Sequence, residues 1–509
     1  MTADEAALLV KDGDRLCFNG QVRIATAERF YKAIGDRFAA TGSPKGLRYI
    51  ATSSYDAFNT WAPYQHDGLL AEIIVAHWIA VKSFRPAIAG EELAAYSLPQ
   101  GVLARNYNAA AAKLPGFISK VGLKTIYDPR DKKGCGLNKR SDKRFADLMT
   151  IDGEEYLFYR TIVPDVCVLR GTTCDPHGNI TMEKEAGLMD TLSVAMATHN
   201  NGGTVIVQVE RFSDKHANPH DVKIPGFLVD AVYEDPDQVM TDEYQYNPIL
   251  AGAERVSEED LPAMIDEIYQ KNLAGRKPID RFIARRAAME MEKGTAVNLG
   301  VGIPMILSFE ALKMGYMDET NTITLECGLA GGVPLGYTFG VGINTEMFME
   351  QADMFRFYEG HGIAATCVGA LEIDRKGNVN VIRKGTNYVG VGGFNHVTYG
   401  PHTVLVCSSF MVGSKLSYEN GKAIVEDGKI CKFCQDVEYV TLSAERALED
   451  KQKVLYITER CVFRLVQGGL ELIEIAPGLD LERDILSKLP FRPLISENLK
   501  EMPRECFEF

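Results

Sequence analysis

The sequence predicts an α/β protein built from two similar open α/β domains, each with a mostly parallel central sheet and flanking helices. Three observations support this fold class. A strand, a glycine turn and a helix follow one another near the start of the chain, the same order recurs after residue 280, and one turn motif occurs twice at equal distances from a buried strand. The length of 509 residues also exceeds what one hydrophobic core usually holds.

The first βα unit is predicted in residues 15–38. Arg15–Phe18 has the composition of a strand, Asn19-Gly20 provides the turn, and a helix is expected over residues 26–38 with Thr26 as its N-cap. Further along, Thr204–Val209 is a β-branched run with the sequence TVIVQV. Such a run is typical of a strand that is buried on both faces of a parallel sheet.

The chain after residue 280 repeats this plan. We predict a helix over residues 280–291, a strand over 295–299, a turn at Gly300-Val-Gly-Ile-Pro304 and a further helix. The order of elements matches that of the opening segment, which favours two related halves.

A repeated turn gives a second, independent indication of two halves. Asp175-Pro-His-Gly-Asn179 and Asp374-Arg-Lys-Gly-Asn378 each precede a short strand, as hairpin turns do. Thirty positions separate Asp175 from Val205 of one buried run, and thirty separate Asp374 from Val404 of another. We therefore predict a first domain over residues 1–235, a surface connector rich in Asp, Glu, Pro and Tyr over 236–279, and a second domain over 280–509.

Composition excludes several classes of protein. The net charge of −14 disfavours nucleic acid and anionic membrane surfaces as partners. The longest apolar stretch, residues 69–81, is too short and too polar to span a bilayer. The acidic N-terminus lacks the basic region of a signal peptide, and eleven cysteines, an odd number, predict reduced thiols in the cytoplasm.

The strongest candidate for chemistry is the segment 321–334, with the sequence NTITLECGLAGGVP. Residues 322–325 predict a strand, and Glu326 stands at its carboxyl end, where open α/β sheets place their sites. Gly328, Gly331 and Gly332 then end the strand and leave room for a ligand to approach the backbone. The alternative is a glutamate at a sheet edge that faces water beside the threonines of the same strand.

Other glycine clusters and one glutamine are weaker candidates. The Gly300–Gly302 turn lacks the third glycine of a dinucleotide fingerprint, because residue 305 is Met305, but it could present N–H groups to an anion. The loop Gly390-Val-Gly-Gly-Phe394 could direct N–H groups at an oxyanion, and Gln100 is a neutral donor suited to the same task. For each of them an ordinary tight turn is the alternative.

Metal and redox sites are not predicted. Cys431 and Cys434 form a single CxxC motif whose strand-like flanks would send the two thiols to opposite faces. His216 and His220 are four residues apart, but Pro219 breaks the helix that would align them.

The sequence resembles the family I CoA-transferases, and within them the single-chain acetate/propionate CoA-transferase group. The resemblance runs through nearly the whole chain. It is carried by the passages TADEAALLVKDGD (2–14), SLPQG (97–101), KVGLKTIYDPR (120–130), EEYLFY (154–159), GNITMEKEA (178–186), AVNLGVGIP (296–304), TLECGLAGGVP (324–334), GNVNV (377–381), VGVGGF (389–394), ITERCVF (457–463) and IAPGLDL (475–481).

The resemblance implies a fold of two similar α/β halves with the active site between them. It implies that Glu326 attacks an acyl-CoA thioester and passes through an acyl-glutamyl anhydride and a glutamyl-CoA thioester in a ping-pong exchange. Gln100 and a backbone N–H of the glycine loop, for which we favour Gly392, would then bind the oxyanion. The residues implied to bind CoA or substrate are Gly300, Gly302, Gly328, Gly331, Gly332, Gly390, Gly393 and Phe394.

The partners implied by the resemblance are an acyl-CoA and a small carboxylic acid, with the CoA thioester as a substrate and no resident cofactor. Relatives are often oligomers, so a homo-oligomer is expected. Two other functions stay open. One is an acyl-CoA hydrolase of the same fold, in which water resolves the glutamyl intermediate, and the other is a non-catalytic ligand-binding protein.

The sequence also departs from the group in three segments, 18–28, 75–78 and 357–362, and in Cys327 after the glutamate. Gln21 and Arg23 bring polar bulk into the first segment, and His361 stands among small residues in the third. We hypothesise a substrate other than plain acetate or propionate, with a polar group that meets Arg23 or His361, and Gln21 is a further candidate for specificity. The alternative is neutral drift in loops.

Overall fold

The computed structural model describes residues 1–53, 56–79 and 81–509. Helices of the first half are α1 (Ala3–Ala7), α2 (Glu28–Thr41), α3 (Arg85–Ala89), α4 (Gln100–Ala111) and α5 (Thr191–Asn200). The connector contains α6 (Leu261–Leu273). Helices of the second half are α7 (Pro278–Ala288), α8 (Pro304–Lys313), α9 (Gln351–Glu359), α10 (Phe394–Tyr399) and α11 (Ala444–Glu449).

The strands fall into two sets along the chain. Those before the connector are β1 (Arg15–Phe18), β2 (Leu47–Ala51), β3 (Leu70–Val75), β4 (Ala94–Ser97), β5 (Gly116–Ser119), β6 (Ala146–Ile151), β7 (Glu154–Arg160), β8 (Val166–Arg170), β9 (Thr173–Cys174), β10 (Ile180–Thr181), β11 (Thr204–Val209), β12 (Arg211–Phe212), β13 (Val222–Ile224) and β14 (Ala231–Glu234). Those after it are β15 (Ala296–Leu299), β16 (Thr322–Leu325), β17 (Leu329–Ala330), β18 (Val333–Pro334), β19 (Gly342–Ile343), β20 (Met347–Phe348), β21 (Ala365–Val368), β22 (Glu372–Asp374), β23 (Val379–Asn380), β24 (Arg383–Lys384), β25 (Asn387–Tyr388), β26 (Thr403–Cys407), β27 (Met411–Val412), β28 (Lys415–Glu419), β29 (Lys422–Glu426), β30 (Ile430–Cys431), β31 (Phe433–Cys434), β32 (Lys453–Ile457), β33 (Cys461–Val466), β34 (Gly469–Ile475) and β35 (Leu494–Glu501).

Two large sheets organise these strands. The first is parallel throughout, with the order β14-β11-β8-β1-β2-β3-β4. The second has the order β20-β17-β16-β15-β21-β26-β32-β33-β34-β35, and its strands from β16 to β32 are parallel. The segment β14-β11-β8-β1-β2 of the first sheet has the same order and connectivity as β32-β26-β21-β15-β16 of the second. The predicted α/β fold with mostly parallel central sheets is confirmed.

The two copies of the repeated turn make the same hydrogen bonds. Asp175 and Asp374 each accept, through Oδ1, the backbone N–H groups of the residues two and four positions later. Through Oδ2, each accepts the side-chain amide of the following asparagine, Asn179 or Asn378, at 3.0 Å. This network explains why both copies of the turn contain the same Asp and Asn, since together they satisfy the backbone of a tight turn.

The start of α2 differs from the prediction. The helix begins at Glu28 with Ala27 at the cap position and no side-chain cap. The Thr26 hydroxyl instead donates to the Val22 carbonyl at 3.2 Å and lies 3.4 Å from the Ile24 carbonyl. The prediction of Thr26 as N-cap is wrong because its hydroxyl closes the preceding turn.

The two halves exchange helix caps where they meet. Asp190 precedes α5, but its Oδ1 accepts the Ala352 N–H in the first turn of α9 at 3.2 Å. Glu350 precedes α9, and its Oε1 accepts the Leu192 N–H in the first turn of α5 at 2.6 Å. Each side chain accepts an N–H group from the first turn of the other half's helix, where no backbone carbonyl is available to pair with it. This is the N-terminal end of the helix, at which the helix dipole favours negative charge. The exchange therefore ties the halves together.

An apolar cluster fills the rest of this boundary. It combines side chains of the first half, the connector and the second half, including Ile24, Met182, Met189, Met240, Leu250, Ile268, Leu325, Leu329 and Val341. The division at residues 235 and 280 stays a prediction, although β14 ends at Glu234 and α7 begins at Pro278. Within the described ranges, no helix combines the length and apolar character needed to cross a membrane.

Candidate active site

Glu326 follows directly on β16, and the parallel neighbour β15 leads into the turn at Gly300. Both residues therefore lie at the carboxyl edge of the second sheet, where open α/β folds place their sites. The alternative of a water-facing glutamate is wrong, because Glu326 is only 8% exposed. The neighbouring Thr324 is buried as well, and its hydroxyl donates to the Val297 carbonyl at 2.9 Å.

The Glu326 carboxylate is desolvated and lacks a counter-charge. Its Oε2 is buried without a hydrogen-bond partner. Burial raises the pKa of Glu326 to about 7, and the opposing effect of its backbone N–H is smaller. In the described part of the chain, no cation lowers this pKa. An ionised Glu326 is thus poorly solvated in this position.

Gly393 lies directly against the Glu326 side chain. A Cβ added at Gly393 would lie 2.7 Å from Glu326 Cγ, 3.1 Å from its Oε1 and 3.2 Å from a ring carbon of Phe355. The Gly393 φ of −78° is open to any residue, so the contact with Glu326 is what demands a glycine here. The glycine loop and the glutamate, 67 positions apart in the sequence, are therefore neighbours.

Gln100 is the first residue of α4 and is fully buried. Its backbone N–H donates to the Gly392 carbonyl at 2.8 Å, which docks α4 on the glycine loop. Its side-chain Nε2 donates to Gln351 Oε1 at 2.6 Å. Because a carboxamide nitrogen carries two protons, one remains for a further acceptor.

Gly392 does not offer a free N–H in this conformation. Its φ is +55°, and its N–H donates to the Ala76 carbonyl at 3.1 Å. We predicted that the Gly392 N–H binds the oxyanion. In this conformation it cannot do so until its hydrogen bond to the Ala76 carbonyl breaks. The next N–H along the loop, that of Gly393, has no acceptor within the described ranges.

The glycines after Glu326 serve the protein's own backbone. Gly328, Gly331 and Gly332 have φ values of +98°, +74° and +74°. A Cβ at Gly328 would overlap the Met349 carbonyl, and one at Gly332 would overlap the Ile343 carbonyl. The segment 343–349 therefore occupies the side of Gly328 and Gly332 where a Cβ would stand, and their role in binding CoA or substrate stays a prediction.

The remaining glycines of the expected binding set differ among themselves. Gly302, with φ +95°, has no atom within 4 Å of an added Cβ, so the turn after β15 leaves room for a ligand. Gly300 donates its N–H to the end of β21 at 2.9 Å. Gly390, with φ +85°, packs on the backbone that follows β3, and Phe394 is a buried residue that opens α10.

The altered segment 18–28 turns at the boundary between the halves. Arg23 Nε lies 2.6 Å from Asp242 Oδ1 and 3.3 Å from Glu28 Oε1, so its charge is already paired. The ion pairs make a substrate contact of Arg23 less favourable, and its role in specificity stays a prediction. Gln21 is buried and its Oε1 has no hydrogen-bond partner, so Gln21 stays a candidate for specificity.

His361 lies at the wrong edge of the sheet for a specificity residue. It lines a cavity of about 450 Å³ together with Ala296 and Ala364, which stand where β15 and β21 begin. Its Nδ1 lies 2.5 Å from the Gly400 carbonyl. Glu326 is at the opposite, carboxyl edge, a strand length of roughly 13 Å away. The expected role of His361 is therefore wrong.

Two residues that the sequence analysis did not assign complete the surroundings of Gln100. Gln351 is fully buried and accepts from the Gln100 amide, and His77 Nε2 lies 3.2 Å from Gln100 Oε1. His77 stands two residues after β3, in the altered segment 75–78, so its place beyond a strand end was a signal that could have been used. Gln351 opens a helix and offered no signal of this kind.

The cysteine motif shows no site. Cys431 and Cys434 belong to β30 and β31, which lie in different small sheets, and both are unpaired. Over residues 1–53, 56–79 and 81–509, no group of three or more His, Cys, Asp and Glu side chains is arranged to hold a metal ion.

Comparison with known proteins extends these observations. The family described as Coenzyme A transferase matches residues 1–235. The chain is 39% identical over 523 positions to a caffeate CoA-transferase of Acetobacterium woodii, an alignment that covers all of this chain and 97% of that protein. It is 36% identical to the acetate CoA-transferase YdiF of Escherichia coli K12, with 100% and 94% covered.

Solved structures agree with the sequence comparison. The acyl-CoA transferase YdiF apoenzyme from Escherichia coli O157:H7 has a TM-score of 0.91 at 34% identity, over 100% of this chain and 95% of that one. A thioester complex of the same enzyme with CoA gives the same TM-score, identity and coverage.

Proposed function

The chain belongs to the coenzyme A transferase family and is a CoA-transferase, and from that premise we propose that it moves CoA between a short-chain acyl-CoA and a carboxylic acid through covalent intermediates on Glu326. The observation that carries the proposal is the Glu326 carboxylate, which is buried and unpaired beside the glycine loop. The thioester complex of YdiF with CoA, at 34% identity, supports a covalent route.

The first half-reaction forms an anhydride and then a thioester. A Glu326 oxygen attacks the acyl-CoA carbonyl carbon, the C–S bond breaks, and CoA leaves as a thiolate while the acyl group joins Glu326 as an anhydride. The thiolate then attacks the Glu326 carbonyl carbon, the acyl group leaves as its carboxylate, and Glu326 holds CoA as a thioester. Splitting the exchange in this way conserves the thioester energy at each step.

The second half-reaction runs the same steps in reverse with another acid. The incoming carboxylate attacks the glutamyl thioester, releases CoA thiolate and forms a new anhydride. The thiolate then attacks the acyl carbonyl carbon, which yields the new acyl-CoA and restores the Glu326 carboxylate. Atoms balance with no co-reactant, and a water molecule in place of the incoming acid would turn the exchange into hydrolysis.

Each addition places negative charge on a carbonyl oxygen. The free proton of Gln100 Nε2 is one proposed donor for that charge, since its other proton goes to Gln351. The glycine loop supplies the second, either from Gly392 after it leaves Ala76 or from the unengaged N–H of Gly393. Burial of these donors strengthens their interaction with the oxyanion.

Substrate identity and setting remain part of the proposal. The relatives' names concern caffeate and acetate. In the altered segment 18–28, Gln21 has a buried Oε1 without a hydrogen-bond partner, and we propose that it selects a polar acyl group. The described cysteines are all unpaired, which supports a reducing, cytoplasmic setting. Light scattering would test the expected homo-oligomer.

Trapping tests the covalent role of Glu326. The protein is incubated with an acyl-CoA, reduced with borohydride, which converts a glutamyl thioester to an alcohol, and digested for mass spectrometry. We expect modification of the peptide that contains Glu326 and none in Glu326→Gln. An unmodified peptide from protein that still transfers CoA would refute the proposal. Thioester loss measured with and without acetate separates transfer from hydrolysis.

A further inference from the structure

His77 touches both groups that are proposed to bind the oxyanion. Its Nε2 lies 3.2 Å from Gln100 Oε1. Its ring lies against Gly392, where an added Cβ would overlap ring atom Cε1, and its backbone forms a β-bridge with Gly390. The residue thus contacts the glycine loop and the glutamine side chain at the same time, without any contact to Glu326 in the described structure.

The two ends of the Gln100 amide face different neighbours. Its nitrogen donates to Gln351, which stands one helical turn before Phe355 on α9, and Phe355 lies beside Gly393 and Glu326. The nitrogen end therefore faces α9, whose Phe355 lies near Gly393 and Glu326. The oxygen end faces His77, whose ring lies against Gly392.

This orientation matters because only the nitrogen end of a carboxamide can stabilise an oxyanion. If Gln100 turned its side chain over, its oxygen would face the developing negative charge and repel it. Burial lowers the pKa of His77 below its ordinary value of 6.5, so the ring is neutral at pH 7 and carries one N–H. With that proton on Nε2, the ring donates to Gln100 Oε1 and holds the amide in the productive orientation.

We propose that His77 is a positioning residue for the oxyanion site: its Nε2–H fixes the Gln100 amide with the nitrogen free to face the oxyanion. The inference rests on the proposed function, since it concerns the donors that stabilise the oxyanion formed at Glu326. His77 acts through Gln100 and does not itself touch the reacting atoms.

A matched pair of variants tests this role. His77→Gln keeps an N–H donor at about the reach of Nε2, whereas His77→Met has the same length and no donor. We expect His77→Met to lower kcat about 10- to 100-fold, below the full loss of an oxyanion donor, with the KM for acyl-CoA changed less than about twofold. His77→Gln should keep kcat within about threefold of the wild type.

A double variant shows whether the effect passes through Gln100. Adding His77→Met to Gln100→Ala should not lower kcat further, because the amide to be oriented is already gone. If His77→Met has wild-type kcat while Gln100→Ala is slow, or if the two losses multiply, the inference on His77 is overturned and the proposed function stands.

Other outcomes separate the two proposals. A wild-type kcat in Gln100→Ala would overturn the oxyanion role of Gln100, and the inference on His77 with it, while the covalent role of Glu326 is decided by the trapping experiment alone. Should circular dichroism show that His77→Met does not fold, His77→Gln decides the question. A folded His77→Gln that is as slow as Gln100→Ala overturns the inference, and one with nearly wild-type kcat supports it.

Discussion

Replacing Glu326 by glutamine should stabilise the protein, and the gain should grow with pH. Burial raises the pKa of Glu326 from 4.5 to about 7. Below pH 4.5 the carboxyl is protonated in both the folded and the unfolded state, so its ionisation has little effect on stability. Between pH 4.5 and about 7 the unfolded state ionises this carboxyl freely while the folded state keeps it protonated, so stability is lost over this range. Above pH 7 the folded state holds the unsolvated charge, and the loss levels off.

The size of the effect follows from the shift. One pKa unit corresponds to about 1.4 kcal/mol, so the penalty removed by Glu326→Gln is about 1 kcal/mol at pH 5 and about 3 kcal/mol at pH 8. Glutamine has nearly the same shape as glutamate, so packing around Gly393 and Phe355 changes little. Transfer activity disappears in the same variant, since the nucleophile is lost.

Urea unfolding of the wild type and Glu326→Gln at pH 5 and pH 8 measures the difference directly. Comparing the two proteins at each pH cancels the effect of pH on all other groups. Glu319→Gln is the matched control, because Glu319 is an exposed carboxylate on the turn before β16, and its free energy of unfolding should change by less than about 0.5 kcal/mol. If Glu326→Gln raises the free energy of unfolding equally at both pH values, or not at all at pH 8, the inference that the Glu326 carboxylate is desolvated is refuted.

Four further predictions concern activity. The kcat/KM for acyl-CoA should rise with pH to a plateau with an apparent pKa near 7, because the ionised Glu326 is the nucleophile; a flat profile from pH 6 to 8 would contradict this. Gly393→Ala should lower kcat at least about 100-fold by displacing the Glu326 side chain, whereas Gly35→Ala, whose added Cβ would meet its nearest atom at 3.4 Å, should be active. Gln100→Ala should lower kcat about 100- to 1,000-fold with little change in KM, which steady-state kinetics would show. Arg23→Ala should leave selectivity across a panel of carboxylates unchanged, because the Arg23 charge is paired with other residues of the protein. Altered selectivity would show that Arg23 contacts the substrate.

The repeated architecture could be predicted from the sequence because it depends on local patterns. The two Asp-x-x-Gly-Asn turns have the same hydrogen bonds in both halves, and each stands at the same distance from a buried parallel strand. The position of Glu326 at the carboxyl edge of the second sheet was predictable for a similar reason. A residue that directly follows a parallel strand lies at the sheet edge where open α/β folds place their sites.

The structure departs from expectation where a residue's surroundings depend on distant parts of the chain. Arg23 sits in an altered segment, yet Asp242 in the connector pairs with it. His361 follows a helix whose length carries it to the other edge of the sheet. The glycines Gly328 and Gly332 were expected to admit a ligand, but the segment 343–349 packs on them.

The sequence by itself determined the fold class, the family resemblance and the carboxylate that carries the proposed chemistry, because periodicity, turn residues and motif order are properties of neighbouring residues. Only the tertiary structure decided the state of that carboxylate and its surroundings. The pKa of Glu326 depends on its burial beside the glycine loop, and the orientation of Gln100 depends on His77 and Gln351. Desolvation and hydrogen bonding act through space between residues far apart in the chain, so no local pattern records them.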